Sequence, residues 1–113
     1  MTETSINYAK ALYELSVPEE AVLETEKIFR STPQLKGALE NPLVSLKEKE
    51  HVIDRVFPQE MKNFLKVTCK YQKISSIYDI LEAYCNYSRK QKGILKAVLI
   101  TKNLYLSLNR HFT

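Results

Sequence analysis

Ser5-Ile6-Asn7-Tyr8-Ala9-Lys10-Ala11-Leu12-Tyr13-Glu14-Leu15-Ser16-Val17 is the stretch whose reading decides the fold. With Glu3 just ahead of it, its polar residues Asn7, Lys10 and Glu14 fall at steps of four, three and four, so a helix gathers them into one narrow stripe. The remainder is apolar or small. Ala9, Leu12, Tyr13 and Ser16 share one line, and Tyr8, Ala11 and Leu15 form a second beside it. A surface helix needs one apolar arc about 100° wide. A wider arc predicts burial on two sides, one against the helix's own domain and one against a partner. The central helix of a bundle gives the same pattern.

Working outward, the chain divides into capped segments. Ser16-Val17-Pro18-Glu19 resembles a capping box, with Pro18 tolerated in a first turn. The helix it opens turns Val22, Thr25 and Phe29 inward, with Ala21 and Ile28 beside them, and spaces Glu26 and Arg30 as an i,i+4 pair. Thr32-Pro33 begins a short third helix with the apolar pair Leu35 and Leu39, which ends before Pro42. Ser45 and Glu48 form another capping box, followed by Val52, Ile53, Val56 and Phe57 as an inward face that stops at Pro58.

The fifth segment, Gln59 to about Gln72, repeats the oddity of the first. Met61, Phe64, Leu65 and Thr68 make an inward face, while Phe64, Val67 and Tyr71 make a second apolar line. Lys62, Lys66 and Lys70 form a basic stripe at i,i+4 steps. Ser75 or Ser76 is expected to cap a sixth helix with Ile74, Ile77, Tyr78, Leu81, Tyr84, Cys85 and Ser88 inward and Gly93 as its stop. Residues 94–101 are short, apolar and partly β-branched, and read as a strand without a partner. The expectation is an all-α six-helix bundle over residues 1–92, its third helix the shortest. Residues 93–113 are expected to form a strand-like or poorly ordered tail.

Composition excludes several classes. With 113 residues, one domain is expected. Only 2 Gly and 4 Pro argue against an all-β fold and against a glycine-rich phosphate loop. No apolar run approaches the roughly 20 residues of a membrane span, and the start does not read as a signal peptide. A soluble, cytoplasmic protein is therefore expected. Cys69 and Cys85 lack metal-ligand spacing and read as reduced, buried thiols. His51 and His111 have no ligand partner at helical spacing, so no metal site, no cofactor and no catalytic residue is expected. Asn86-Tyr87-Ser88 matches a glycosylation sequon by chance, mid-helix.

Charge is uneven. Residues 1–57 carry 7 basic and 10 acidic side chains, and residues 58–113 carry 10 and 3, within a net charge of +4. The second half therefore suits an acidic partner. The lysine stripe with Lys73 could track phosphates, but it comes without a recognition-helix signature and reads more simply as a solvated face. A small basic helical module for nucleic acid or regulation is the alternative reading.

The ordered residues also resemble a family. Tyr8-Ala9-Lys10-Ala11-Leu12 is similar to the opening motif of the δ subunit of bacterial F-type ATP synthases, the OSCP family. Leu39-Glu40-Asn41-Pro42, the segment Ser45 to Lys49, the pairs Val52-Ile53 and Val56-Phe57, and Asn63-Phe64-Leu65-Lys66-Val67 follow in the family's order. Ile77, Leu81 and Tyr84 fit its sixth helix, and residues 93–101 resemble the link and first strand of its second domain. The chain departs from the family at Gln72-Lys73, where Gly-Arg is usual.

The resemblance implies a non-catalytic stator subunit of a proton-translocating ATP synthase. Its N-terminal domain would be a six-helix bundle that clamps the catalytic headpiece by binding the N-terminal helix of an α subunit between the first and fifth helices. The site would comprise Tyr8, Ala11, Leu12, Leu15, Phe64, Val67, Thr68 and Tyr71, with Lys62, Lys66 and Lys70 at its rim. The b subunit of the peripheral stalk would be contacted through a second domain, of which residues 93–113 would be a remnant. Neither nucleic acid nor direct membrane insertion is implied, and the location would be peripheral to the inner face of the bacterial membrane.

Overall fold

The computed structural model describes residues 2–93. Within them, α1 spans Glu3–Glu14, α2 Glu19–Ser31, α3 Pro33–Glu40, α4 Leu46–Val56 and α5 Gln59–Lys70. A 3-10 turn, Ile74–Ser76, feeds α6, which is helical over residues 77–93. The described residues contain six helices and no strand, as the capped apolar segments predict. The strand read at 94–101, and all but the first residue of the tail 93–113, lie outside the described residues.

Local chemistry sets the helix ends. Ser45 accepts the Glu48 N–H at 3.2 Å, and Pro33 occupies the first turn of α3 behind Thr32, whose side chain makes no capping bond. Ser16 does not cap α2. It closes α1 instead, with φ 56° and its N–H donating to the Tyr13 carbonyl at 3.1 Å. A left-handed residue reverses the chain in the few residues available before Pro18. α2 then starts without a side-chain cap, its Glu19 and Glu20 complementing the positive end of the dipole.

α5 closes the same way. Gln72 has φ 57°, its N–H reaches the Cys69 carbonyl at 3.0 Å, and the Lys73 N–H reaches the Thr68 carbonyl at 2.8 Å, the pairing of a Schellman end. Neither Ser75 nor Ser76 caps α6 from outside, because the chain is already turning as a 3-10 helix there, anchored by buried Ile74. Gly93 is not a stop at residue 93: it is itself helical, without a positive φ.

One core joins the six helices. Leu12, Phe29, Ile53, Met61, Leu65, Ile77, Ile80 and Leu81 are completely or almost completely buried, each contributing about 1.5–3 kcal/mol by leaving water. α6 is its spine. Its Tyr84 and Tyr87 rings lie 6.4 and 5.1 Å from Tyr13 of α1, and Tyr78 lies 6.5 Å from Phe29 of α2. Two buried threonines satisfy themselves: Thr25 donates to the Ala21 carbonyl at 2.8 Å and Thr68 to the Phe64 carbonyl at 2.7 Å.

Two inward assignments change, and one residue given no inward place proves buried. Val56 is exposed, because Phe57 at the end of α4 turns into the core instead and stacks on Phe29 at 4.9 Å. Ser16 is exposed at the reversal after α1. Lys49, on the face that carries Ile53, is buried.

Candidate functional site

α1 and α5 meet at one aromatic contact between residues of their second apolar lines. The Tyr8 and Phe64 rings form an edge contact, with centroids 6.3 Å apart and planes at 75°. Tyr8 is half-buried and Phe64 buried, so the two form a seam. Above it, apolar side chains stay open to water. Ala11 is exposed, Leu15 is 61% exposed, Val67 47% and Tyr71 58%. Positions 8, 11 and 15 on one helix and 64, 67 and 71 on the other make two rails at helical spacing.

Two residues expected in this groove lie beneath it. Leu12 and Thr68 are fully buried, each one helical step of about 100° round from an exposed neighbour. Leu12 packs in the core, and the Thr68 hydroxyl is committed to its own helix. They support the floor and do not reach its surface.

The lysine stripe divides. The Lys66 ammonium sits 2.8 Å from the Asp54 carboxylate of α4. That hydrogen bond, with the Lys66 and Lys62 charges behind it, holds the Asp54 carboxyl below its ordinary range. Lys62 and Lys66 are thus turned toward α4, the side of α5 away from α1. Lys70 is the one of the three beside the groove, its ammonium 5.7 Å from the Tyr71 ring centre.

The groove carries no carboxylate, imidazole or thiol among its named residues. Among the described residues no group of three or more His, Cys, Asp or Glu could hold a metal ion, and no helix is long and apolar enough to cross a membrane.

Comparison with known proteins agrees with the order of these elements. The family described as ATP synthase delta (OSCP) subunit matches residues 5–104. The ATP synthase subunit delta of Clostridioides difficile is 31% identical, with 83% of this chain and 59% of the relative covered. That of Protochlamydia amoebophila is also 31% identical, over 86% and 60%. The chloroplastic subunit delta of Trieres chinensis is 29% identical, over 92% and 62%. The chain therefore spans about three fifths of the length of these curated relatives. No solved structure matches it. A match running through all six helices, from within α1 to beyond α6, establishes that this chain belongs to the ATP synthase delta (OSCP) subunit family.

Proposed function

We infer that this chain works as a non-catalytic stator component of an F-type ATP synthase, peripheral to the membrane, and that its bundle holds the N-terminal helix of an α subunit in the α1–α5 groove. The observation that carries this reading is the open apolar surface of Leu15, Val67 and Tyr71 flanking the Tyr8–Phe64 seam. In a stable bundle these side chains would gain by burial, and two neighbouring helices leave them exposed together. Exposed Ala11 lets a partner backbone approach closely, and the rings on either side supply contact area. Residues 1–92 form the clamping domain in this reading. Residues 93–113 begin a second domain, through which the b subunit of the peripheral stalk is held.

A stator resists torque while the rotor turns, so the clamp has to be tight and needs no chemistry. Titration of the 113-residue chain with the N-terminal peptide of an α subunit and, separately, with duplex DNA tests the assignment. The peptide should bind, and Val67→Asp should weaken it by more than about 2 kcal/mol by placing an unpaired charge in the dry centre. Undetectable peptide binding, or binding unchanged by Val67→Asp, rejects the groove. DNA binding that falls steeply with salt would put a nucleic-acid module in its place.

A further inference from the structure

Lys49 is anomalous. Lysine is almost never fully buried unless paired, yet Lys49 is only 8% exposed. None of the ion pairs among the described residues uses its ammonium, and no fully buried side-chain nitrogen or oxygen among them is left without a partner, so the stem is buried while the charged tip opens to solvent. The side chain lines two adjoining recesses of about 230 and 180 Å³, which share Pro42, Lys49 and Gln72. In the smaller one Lys49 is joined by Lys70 and Gln72, against an apolar wall of Pro42, Val44 and Leu46, and none of its lining residues is acidic. Glu40 borders the larger recess, but its carboxylate is taken by Lys36. The nearby C-terminal ends of α3 and α5 contribute partial negative charge, which helps hold an ammonium there without neutralising it.

Gln72, the left-handed residue that closes α5, borders both recesses, and its side chain carries a primary amide able to donate hydrogen bonds.

We propose that this recess, between the α3–α4 loop and the C-terminal end of α5, receives the carboxylate of an acidic side chain from a partner polypeptide. Lys49 and Lys70 supply the charge, Gln72 a hydrogen-bond donor, and Pro42, Val44 and Leu46 seat an apolar neighbour of the acid. Leu43, 92% exposed at the tip of the same loop, extends that apolar contact. The small volume and the apolar wall fit one acid flanked by apolar residues, whereas a polyanion such as nucleic acid needs a row of cations. The proposal shares Lys70 with the rim of the α1–α5 groove but does not rest on that groove being occupied.

The test is a ¹⁵N NMR titration of the whole chain with the capped tripeptides acetyl-Leu-Glu-Leu-amide and acetyl-Leu-Gln-Leu-amide, and with sodium acetate. The Glu peptide should shift the amides of Val44, Leu46, Cys69 and Gln72 saturably, and the Gln peptide should bind at least tenfold more weakly. Lys49→Met, which keeps the buried stem, should lower Glu-peptide affinity at least tenfold. Lys70→Gln, at an exposed position, should lower it about threefold even if Lys49→Met fails to fold. Val67→Asp should leave it unchanged, which separates this site from the groove. Equal binding of the Glu and Gln peptides, or no loss in Lys70→Gln, overturns the proposal. Acetate binding as tightly as the Glu peptide overturns a polypeptide partner in favour of a free carboxylate.

Discussion

Tyr8 and Phe64 lie 56 positions apart in sequence and meet edge to face with centroids 6.3 Å apart. The contact joins α1 to α5, the two helices that also expose Leu15, Val67 and Tyr71. Phe64→Ala should destabilise the fold by about 3–5 kcal/mol, the range for truncating a buried phenylalanine. A double-mutant cycle with Tyr8→Ala, read from urea unfolding, should return a coupling of about 0.5–1.5 kcal/mol. Strictly additive losses would show that the rings do not stabilise one another.

Ala11 separates recognition from stability. It is exposed on the groove side of α1, so Ala11→Phe should change unfolding free energy by no more than about 0.5 kcal/mol. The same change should weaken α-subunit peptide binding at least tenfold by blocking close approach of the partner backbone. Lys66→Ala should do little to that affinity, since its ammonium is engaged with Asp54 on the other side of α5. A large loss from Lys66→Ala with none from Ala11→Phe would place the peptide elsewhere.

Ser16 and Gln72 hold left-handed conformations that glycine adopts without steric penalty. Part of the gain from glycine is offset by greater freedom in the unfolded chain. Ser16→Gly and Gln72→Gly should each stabilise by a net of about 0.5–1 kcal/mol, visible as a rise in Tm of a few degrees. An unchanged or lower Tm would mean that the side chains contribute more than the strain costs.

The thiols should respond unequally to pH. Burial pushes the Cys69 thiol up to about 11, with the Lys49 charge opposing it only in part. The folded protein thus retains a proton that the unfolded chain releases at lower pH. Stability should therefore fall as pH climbs from the ordinary thiol range toward 11. Cys69→Ala should flatten that alkaline decline in urea midpoints. At pH 8, iodoacetamide should label half-buried Cys85 before buried Cys69. An alkaline slope unchanged by Cys69→Ala would assign the decline to other groups.

Helix number and core were legible because apolar spacing reports burial directly: Phe29, Ile53, Leu65 and Leu81 fall where their periodicity places them. The exposure of Leu15, Val67 and Tyr71 was legible because α1 and α5 carry more apolar surface than one core needs. Depth within a rail was not, since Leu12 and Leu15 differ in burial only through what packs above them. Helix ends were read least well at Ser16, whose hydroxyl suggests a cap while its backbone makes a reversal. Lys49 escaped notice because a lysine on a helix is read as pointing outward. Its burial depends on the ends of α3 and α5, elements remote from it in sequence.

The packing of α6 at the centre has a consequence for synthesis. Tyr13 finds its aromatic neighbours in Tyr84 and Tyr87, and Glu19, which opens α2, is paired with Lys92. The amino-terminal helices leave the ribosome first, and the surface that covers them arrives last. Nascent chains arrested before residue 77 emerges should stay protease-sensitive, and those with residues 77–93 outside the exit tunnel should become resistant. Until then the apolar sides of α1 and α2 are unshielded, so the window in which this protein can be captured by a chaperone or a wrong neighbour is set by the time needed to translate α6.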